Sequence, residues 1–477
     1  MRSNGVQRMR RAAALALIFW LAVAPAGLAA QVPTYIFLFL GDGMGIAQRE
    51  VAELQLNDAP GQTAWSQDKR LAMNALAVTG VNTTHDAAGM VPDSASAATA
   101  LSSGYKTLNG VIGFREDRRT PTAYITEALK AQGKSVGIIS DVKIVHATPA
   151  AFYAHIDSRD KYDAIADQLV ASPFDLFVGG GGHKHFAASL RKDGRDLYAE
   201  AESKGFRVVR SGEEFLALKP GRRVLANLPG DVFDEALPYV KDRRPGDPGL
   251  ERIVAKSIEL LAANPKGFFI LVEGGQVDWA CHANDTGALI DNLLELDRAV
   301  AVAVDFQKKH PETLIVVTGD HECGGLGLGR GKDNRADTAV SGRQAMSHET
   351  ADQCVAAILA ATGEDALPHL YALAAALGLP DLSAAEKGEI EAALRREAVP
   401  LDKAPSVALY GGYPPVSMTF RRLRDKRTSL DWACHAHTGV PVMLSAQGPG
   451  AERFAGYIDN TEVCKAMNAV TLAGMTW

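Results

Sequence analysis

Residues 35–45 read Y-I-F-L-F-L-G-D-G-M-G. Six apolar residues, rich in aromatic and branched side chains, fit a strand buried on both faces. The glycines that follow end it in a turn, with Asp42 at the tip. The same pattern recurs at 135–139, 176–178, 206–209, 268–272, 314–317 and 440–444. Helical patterns lie between these runs at 122–131, 250–263 and 288–308, and Asn264-Pro265-Lys266-Gly267 stops one helix before the next strand. The alternation predicts an α/β protein of three layers, α/β/α. A large, mostly parallel central sheet would carry helices on both faces.

Between His321 and His437 the alternation fails. Helical patterns dominate there, and Ser383-x-x-Glu386 is a capping box for a helix running to about Glu397. Residues 326–430 are therefore read as a mainly helical insertion, crown-like or lid-like, within a domain spanning 31–477. Both ends of the insertion are tied near metal-type side chains, so it is expected over the strand-end face. It is open to three roles: capping the site, forming a homodimer contact, or binding a surface.

Residues 1–30 carry Arg2, Arg8, Arg10 and Arg11, then an apolar stretch over 12–23, then small residues at 24–29. This is the form of a signal peptide cleaved near 26–30, and it places the mature protein in the periplasm or outside the cell. Cleavage removes four arginines and takes the formal charge from −6 to −10. No basic patch marks a nucleic-acid partner, and no second apolar run is long enough to span a membrane. The five cysteines, at 281, 323, 354, 434 and 464, have no CxxC spacing. Cys281, Cys323 and Cys434 are read as packing or disulfide residues, not as metal ligands.

Ligands of open α/β sheets gather at the carboxyl ends of the strands. Four strands here meet metal-type residues. Asp42 follows the first, Glu273 ends the run over 268–272, and Asp320-His321 follow the run over 314–317. His435-Ala436-His437-Thr438-Gly439 precedes the last strand. Asp278-x-x-x-His282 has the spacing that puts two side chains on one helix face. Carboxylates crowded at one sheet edge repel unless cations sit among them. Mixed Asp and His ligands suit zinc, and oxygen ligands suit magnesium. Residues 91–101, V-P-D-S-A-S-A-A-T-A-L, place Ser94 at a helix start. An N-cap role is the plain reading, but the N-terminus of a helix also stabilises an alkoxide or phosphoester.

Taken together and in order, G-D-G-M-G, P-D-S-A-S-A-A-T-A, H-A-T-P-A, E-G-G-x-x-D-x-x-x-H, T-G-D-H-E and H-T-G resemble the alkaline phosphatase family. The resemblance implies phosphomonoester hydrolysis through a covalent phosphoserine on Ser94, with two zinc ions and one magnesium. It implies Asp278, His282 and His437 around the first zinc. Asp42, Asp320 and His321, with the Ser94 oxygen, would surround the second. Asp42, Thr148 and Glu273 would hold the third ion. Arg159, in H-I-D-S-R, matches the phosphate clamp, and Asp93 would orient it. His146 and Trp279 stand where the enteric type has Asp and Lys, which leaves the third ion's identity open. Trp279 cannot supply a lysine's charge, and simple packing is its other reading.

The G-G-G-G-H-K-H run at 179–185 reads as a glycine turn with exposed histidines. His435 competes with His437 as a ligand, and the H-T-G match favours His437. A phosphodiesterase of the same superfamily is the alternative; such enzymes tend to use Thr and to lack the arginine. A sulfatase needs C/S-x-P-x-R, which Ser94-Ala-Ser-Ala does not supply. A non-catalytic metal or phosphate binder is the third reading.

Overall fold

A computed structural model describes residues 32–57, 69–332, 337–338, 342–397, 407 and 409–477. The segment read as a signal peptide lies outside the described residues. Fourteen strands are present among them. In chain order they are β1 (Tyr35–Gly41), β2 (Val78–Asn82), β3 (Ser135–Ser140), β4 (Leu176–Gly180), β5 (Phe206–Val209), β6 (Arg223–Leu228) and β7 (Phe268–Gly274). They continue with β8 (Thr313–Gly319), β9 (Glu322–Cys323), β10 (Leu326–Leu328), β11 (Leu430–Trp432), β12 (His437–Thr438), β13 (Val442–Gln447) and β14 (Gly456–Ile458). Ten of them form one sheet, in the order β14-β2-β13-β8-β1-β7-β3-β4-β6-β5.

The run at Tyr35 lies inside that sheet, parallel to β7 on one side and β8 on the other. Its side chains alternate between two cores, as a period of two requires. Ile36, Leu38 and Leu40 join one core, with Leu101 and Leu129 from helices on that face. Phe37 and Phe39 join the other, with Val254, Leu289 and Leu293. Each of these side chains is buried, and each such burial contributes about 1.5–3 kcal/mol. The sheet is thus covered on both faces, and the fold is the mixed α/β architecture expected.

One strand runs against the rest. β13 is antiparallel to both of its neighbours, β8 and β2. Its start therefore lies at the edge where the parallel strands end. That is why residues before β13, and residues after β1, β7 and β8, meet in one place. Three strands of the sheet, β2, β6 and β14, have no counterpart among the sequence-derived runs.

Residues 326–430 hang from a two-strand stem in which Leu326 pairs with Trp432 and Leu328 with Leu430. Helices His348–Thr362, Ala366–Ala376, Ala384–Leu394 and Pro415–Thr428 follow within it. The capping box at Ser383 is formed. These helices enclose their own small core around Val355, Leu370, Leu379, Ile390 and Phe420.

Candidate active site

Ser94 is the first residue of helix Ser94–Ser103, all of which is buried. Asp93 caps it. Its carboxylate accepts from the Ser96 backbone N–H at 2.9 Å, and the Ser96 hydroxyl oxygen accepts from the Asp93 N–H at 3.3 Å. The small side chains after Ser94 let this helix press against the sheet. The Ser94 hydroxyl lies 3.5 Å from Asp42 Oδ1 and 3.4 Å from His321 Nε2.

Asp42 leaves β1 in a turn that only glycine permits. Gly43 has φ +69°, and a Cβ there would stand 2.8 Å from the Asp278 backbone. From this turn Asp42 Oδ1 faces His321 Nε2 at 3.3 Å, and Asp42 Oδ2 accepts from the Thr148 hydroxyl at 3.2 Å. Asp320 follows β8. Its Oδ1 is taken up by the backbone N–H of Gly43 and His321, at 3.2 and 2.9 Å. Its Oδ2 is left pointing at His321 Nε2, 3.5 Å away.

The helical pair is as spaced. Helix Gln276–His282 puts Asp278 Oδ2 3.2 Å from His282 Nε2. β12 pairs with β9 and brings His437 Nε2 to 3.1 Å from His282 Nε2 and 3.5 Å from Asp278 Oδ1. Both imidazoles donate through Nδ1 to backbone carbonyls, His282 to His435 at 2.7 Å and His437 to Pro92 at 2.9 Å. Each Nε2 is thereby left as an electron-pair donor facing the other, which is how metal-binding histidines are held.

Among the described residues three groups are able to hold a metal ion. They are Asp278 with His282, Cys323 and His437; Asp42 with Asp320 and His321; and Asp42 with His146 and Glu273. Within these groups Asp278 Oδ1, Asp320 Oδ2, Glu273 Oε1, His321 Nδ1 and His146 Nδ1 are buried with no hydrogen-bond partner. Unpaired polar atoms at that density are costly. The three carboxylate oxygens among them are electron-pair donors that a cation would satisfy outright, so the residues fit metal ions.

A family model described as alkaline phosphatase matches residues 34–473. The chain belongs to the alkaline phosphatase family. Alkaline phosphatase 3 of Bacillus subtilis (strain 168) is 31% identical over 446 residues, covering 90% of this chain and 87% of that protein. Streptomycin-6-phosphate phosphatase of Streptomyces griseus is 28% identical over 483 residues, covering 91% and 89%. The alkaline phosphatase of Thermus thermophilus superposes with a TM-score of 0.79 at 29% identity, covering 96% of each chain. The cold-active enzyme of Shewanella sp. gives 0.78 at 29% identity, covering 92% of this chain and 99% of that one.

The remaining expected residues surround the same edge. Arg159 donates to Asp93 Oδ2 and to His146 Nε2, each at 3.0 Å. Burial and the Arg159 charge push the His146 imidazole down to about 3, so it is neutral. Because Nε2 accepts from a guanidinium, which only donates, the ring proton sits on Nδ1. Nδ1 faces Glu273 Oε1 at 3.6 Å. A metal at Nδ1 and the Arg159 bond at Nε2 thus exclude each other. Trp279 meets His146 edge to face, with ring centroids 6.1 Å apart.

Sequence reasoning passed over four residues. Ser140 donates to Glu273 Oε2 at 2.5 Å, and Asp141 accepts from the Gly275 N–H at 2.6 Å, where helix Gln276–His282 begins. Both follow the apolar run at 135–139, the signal that exposed Asp42. Asp285 caps the long helix Thr286–Gln307 and receives Arg424 at 3.1 Å and Gln344 at 2.9 Å, which anchors the helical region beside His282. Cys323, read as packing or disulfide, stands among the ligand atoms around Asp278. All five cysteines are unbridged. His435 is outside the clusters and donates to the His282 carbonyl at 2.9 Å. The histidines at 183 and 185 are not the exposed pair expected: His183 bonds Tyr198, and His185, which is buried, bonds Asp163.

Proposed function

We propose that the protein is a secreted or periplasmic phosphomonoesterase that works through a phosphoserine on Ser94. The observation that carries this reading is the surroundings of the Ser94 hydroxyl. It is buried at a helix N-terminus and lies within 3.5 Å of Asp42 and His321, each already committed to a cluster of ligand atoms. Asp278, His282 and His437 would hold one zinc, and Asp42, Asp320 and His321 the other. Asp42, Thr148 and Glu273 would hold magnesium. When bound, such ions lower the pKa of oxygen nucleophiles and neutralise the oxygens of a transferring phosphoryl group.

The chain supplies the rest. Ser94 Oγ forms the bond to phosphorus as the bond to the leaving alcohol breaks. Water then takes the phosphoryl group and releases inorganic phosphate and the free serine. The helix N-terminus favours the negative charge at Ser94 in both steps. Arg159, fixed on one side by Asp93 and on the other by His146, presents a fork suited to two phosphate oxygens. Asp93 is held below the usual carboxylate range, because Arg159 and the Ser96 N–H together outweigh its burial. The Arg159–Asp93 pair is therefore ionised throughout the neutral and alkaline range.

Residues 1–30 act as the export signal in this reading. No helix among the described residues is long and apolar enough to cross a membrane. His348, Glu349 and Tyr413 of the helical region wall the site beside His282. The test is a rate comparison on an aryl phosphate. Ser94→Ala is expected to lose hydrolysis at least about 10³-fold while keeping its fold and its metals. Rapid turnover by that variant would sink the proposal, and faster turnover of a diester than of the monoester would favour the diesterase alternative.

A further inference from the structure

Beside His282 lies a cleft of about 280 Å³ that the chemistry above does not use. Phe233, Trp279, His282, His348, Glu349 and Tyr413 line it. Trp279 and His282 come from the short helix that carries Asp278. His348 and Glu349 open the helix His348–Thr362, so the helical region supplies the opposite wall. A leaving group released at the Asp278 cluster has this cleft next to it.

The lining combines three aromatic rings with one carboxylate. Phe233 is 57% exposed, so its ring is open to a ligand in the cleft. Glu349 has no lysine or arginine partner among the described residues. Burial, and then the carboxylates of Asp231, Asp242 and Asp352, push its carboxyl up to about 8. The guanidinium of Arg421 lies over the Tyr413 ring at 5.1 Å and pairs with Asp352 at 3.3 Å, not with Glu349. His348 faces Asp285, 3.4 Å away. Above about pH 8 the Glu349 carboxyl is ionised, and the cleft then joins aromatic faces to a carboxylate with no cation paired to it among the described residues. A neutral aryl group would fill it but would dehydrate Glu349 without pairing it, which is unfavourable. An ammonium group satisfies both the rings and the carboxylate.

We propose that this cleft receives the cationic end of an amino-alcohol or quaternary-ammonium phosphomonoester. The proposal rests on the phosphomonoesterase reading for the reaction, though the cleft can be probed without turnover. Calorimetry on the metal-loaded protein at pH 9, where Glu349 is ionised, compares choline with 3,3-dimethylbutan-1-ol, which has the same shape and no charge. Choline is expected to bind about tenfold more tightly. Glu349→Gln is expected to bring the two to near equality. Phe233→Leu, at an exposed position, should weaken choline more than the alcohol. Equal binding of both by the unmodified protein, or a preference untouched by Glu349→Gln, would overturn the inference. In parallel, kcat/KM for phosphocholine should exceed that for 3,3-dimethylbutyl phosphate by a similar factor. Failure to hydrolyse either ester, or methyl phosphate, counts against the phosphomonoesterase reading alone, since the binding comparison still decides the cleft.

Discussion

Asp278 with His282 and His437, and Asp320 with Asp42 and His321, are two clusters of the same residue types that share a wall. His321 and His437 stack there with ring centroids 3.7 Å apart. Without a cation they answer in opposite ways. In the first, two imidazoles face one carboxylate, and the histidine side chains keep 31% and 15% exposure. Burial works against charge on His437, but Asp278 overrides it and pushes the imidazole up to about 10. Asp278 itself stays low, because His282 and His437 outweigh its burial. In the second, two carboxylates face one imidazole and all three are fully buried. Burial, then Asp278, pushes Asp320 up to about 7, and burial, then Asp320, raises Asp42. Burial and His437 hold His321 down to about 4. One cluster stores protons on nitrogen and the other on oxygen. Access to water and the ratio of carboxylate to imidazole decide which.

The strongest way to break this contrast is at Asp42, which touches Ser94, His321 and Thr148 at once. Asp42→Asn is expected to lower kcat/KM about 10³-fold, the several kcal/mol that an ion contributes to a phosphoryl transition state. Steady-state kinetics at saturating zinc and magnesium check it. Loss of less than tenfold would mean that the second cluster does not serve the nucleophile.

Removing the ions sharpens the contrast, because the two clusters then take up protons in different pH windows. A carboxyl raised in the fold holds a proton that the unfolded chain releases above about pH 4. In chelated protein Asp320 and Glu273, both pushed up to about 7, should therefore cost stability as pH rises from about 4 to 7. His437 works in the next window. Its raised pKa stabilises the fold below about 6.5, and that contribution is lost as pH rises toward about 10. Unfolding free energy against pH, measured with denaturant, is expected to fall in two stages, by a few kcal/mol in all. Asp320→Asn should flatten the lower stage and leave the upper one; His437→Gln should do the reverse. A single transition, or one unaffected by either change, would contradict the division.

Smaller effects test the supports. Ser140→Ala removes the donor that orients Glu273 and should weaken magnesium affinity about 10–100-fold. An activity titration with magnesium would show the shift, with full recovery at high concentration. Thr438 donates to Glu322, which ties β12 to the segment after Asp320. Thr438→Val should cost about 1 kcal/mol of stability, read by denaturant unfolding, and should loosen zinc at the His437 cluster before it affects the Asp320 cluster.

Much of this edge was legible in the sequence, for a physical reason. Parallel strands buried on both faces are continuous apolar runs, and a carboxylate just after such a run has few places to go but the sheet edge. That exposed Asp42, Glu273 and Asp320, and the i,i+4 spacing exposed Asp278 with His282. The strands that escaped notice break that rule. β2 carries Gly80 at its centre, β6 is interrupted by Asn227, and β14 is a largely exposed edge strand. Cys323 was out of reach for another reason. Its place among the ligands depends on the pairing of β9 with β12, where His437 sits opposite it. No local spacing reports a contact between segments that far apart.

That late pairing also sets a schedule. Asp42 lies near the start of the described residues and His437 near their end, with the helical region made in between. At about 5–20 residues per second of synthesis, tens of seconds separate the two. Once His321 has been made, the emerging polypeptide holds Asp42, Asp278, His282, Asp320 and His321 but still lacks the strand that closes the first cluster. Completion of the metal centre is thus tied to completion of translation, and a truncated product lacking the last segment cannot assemble it.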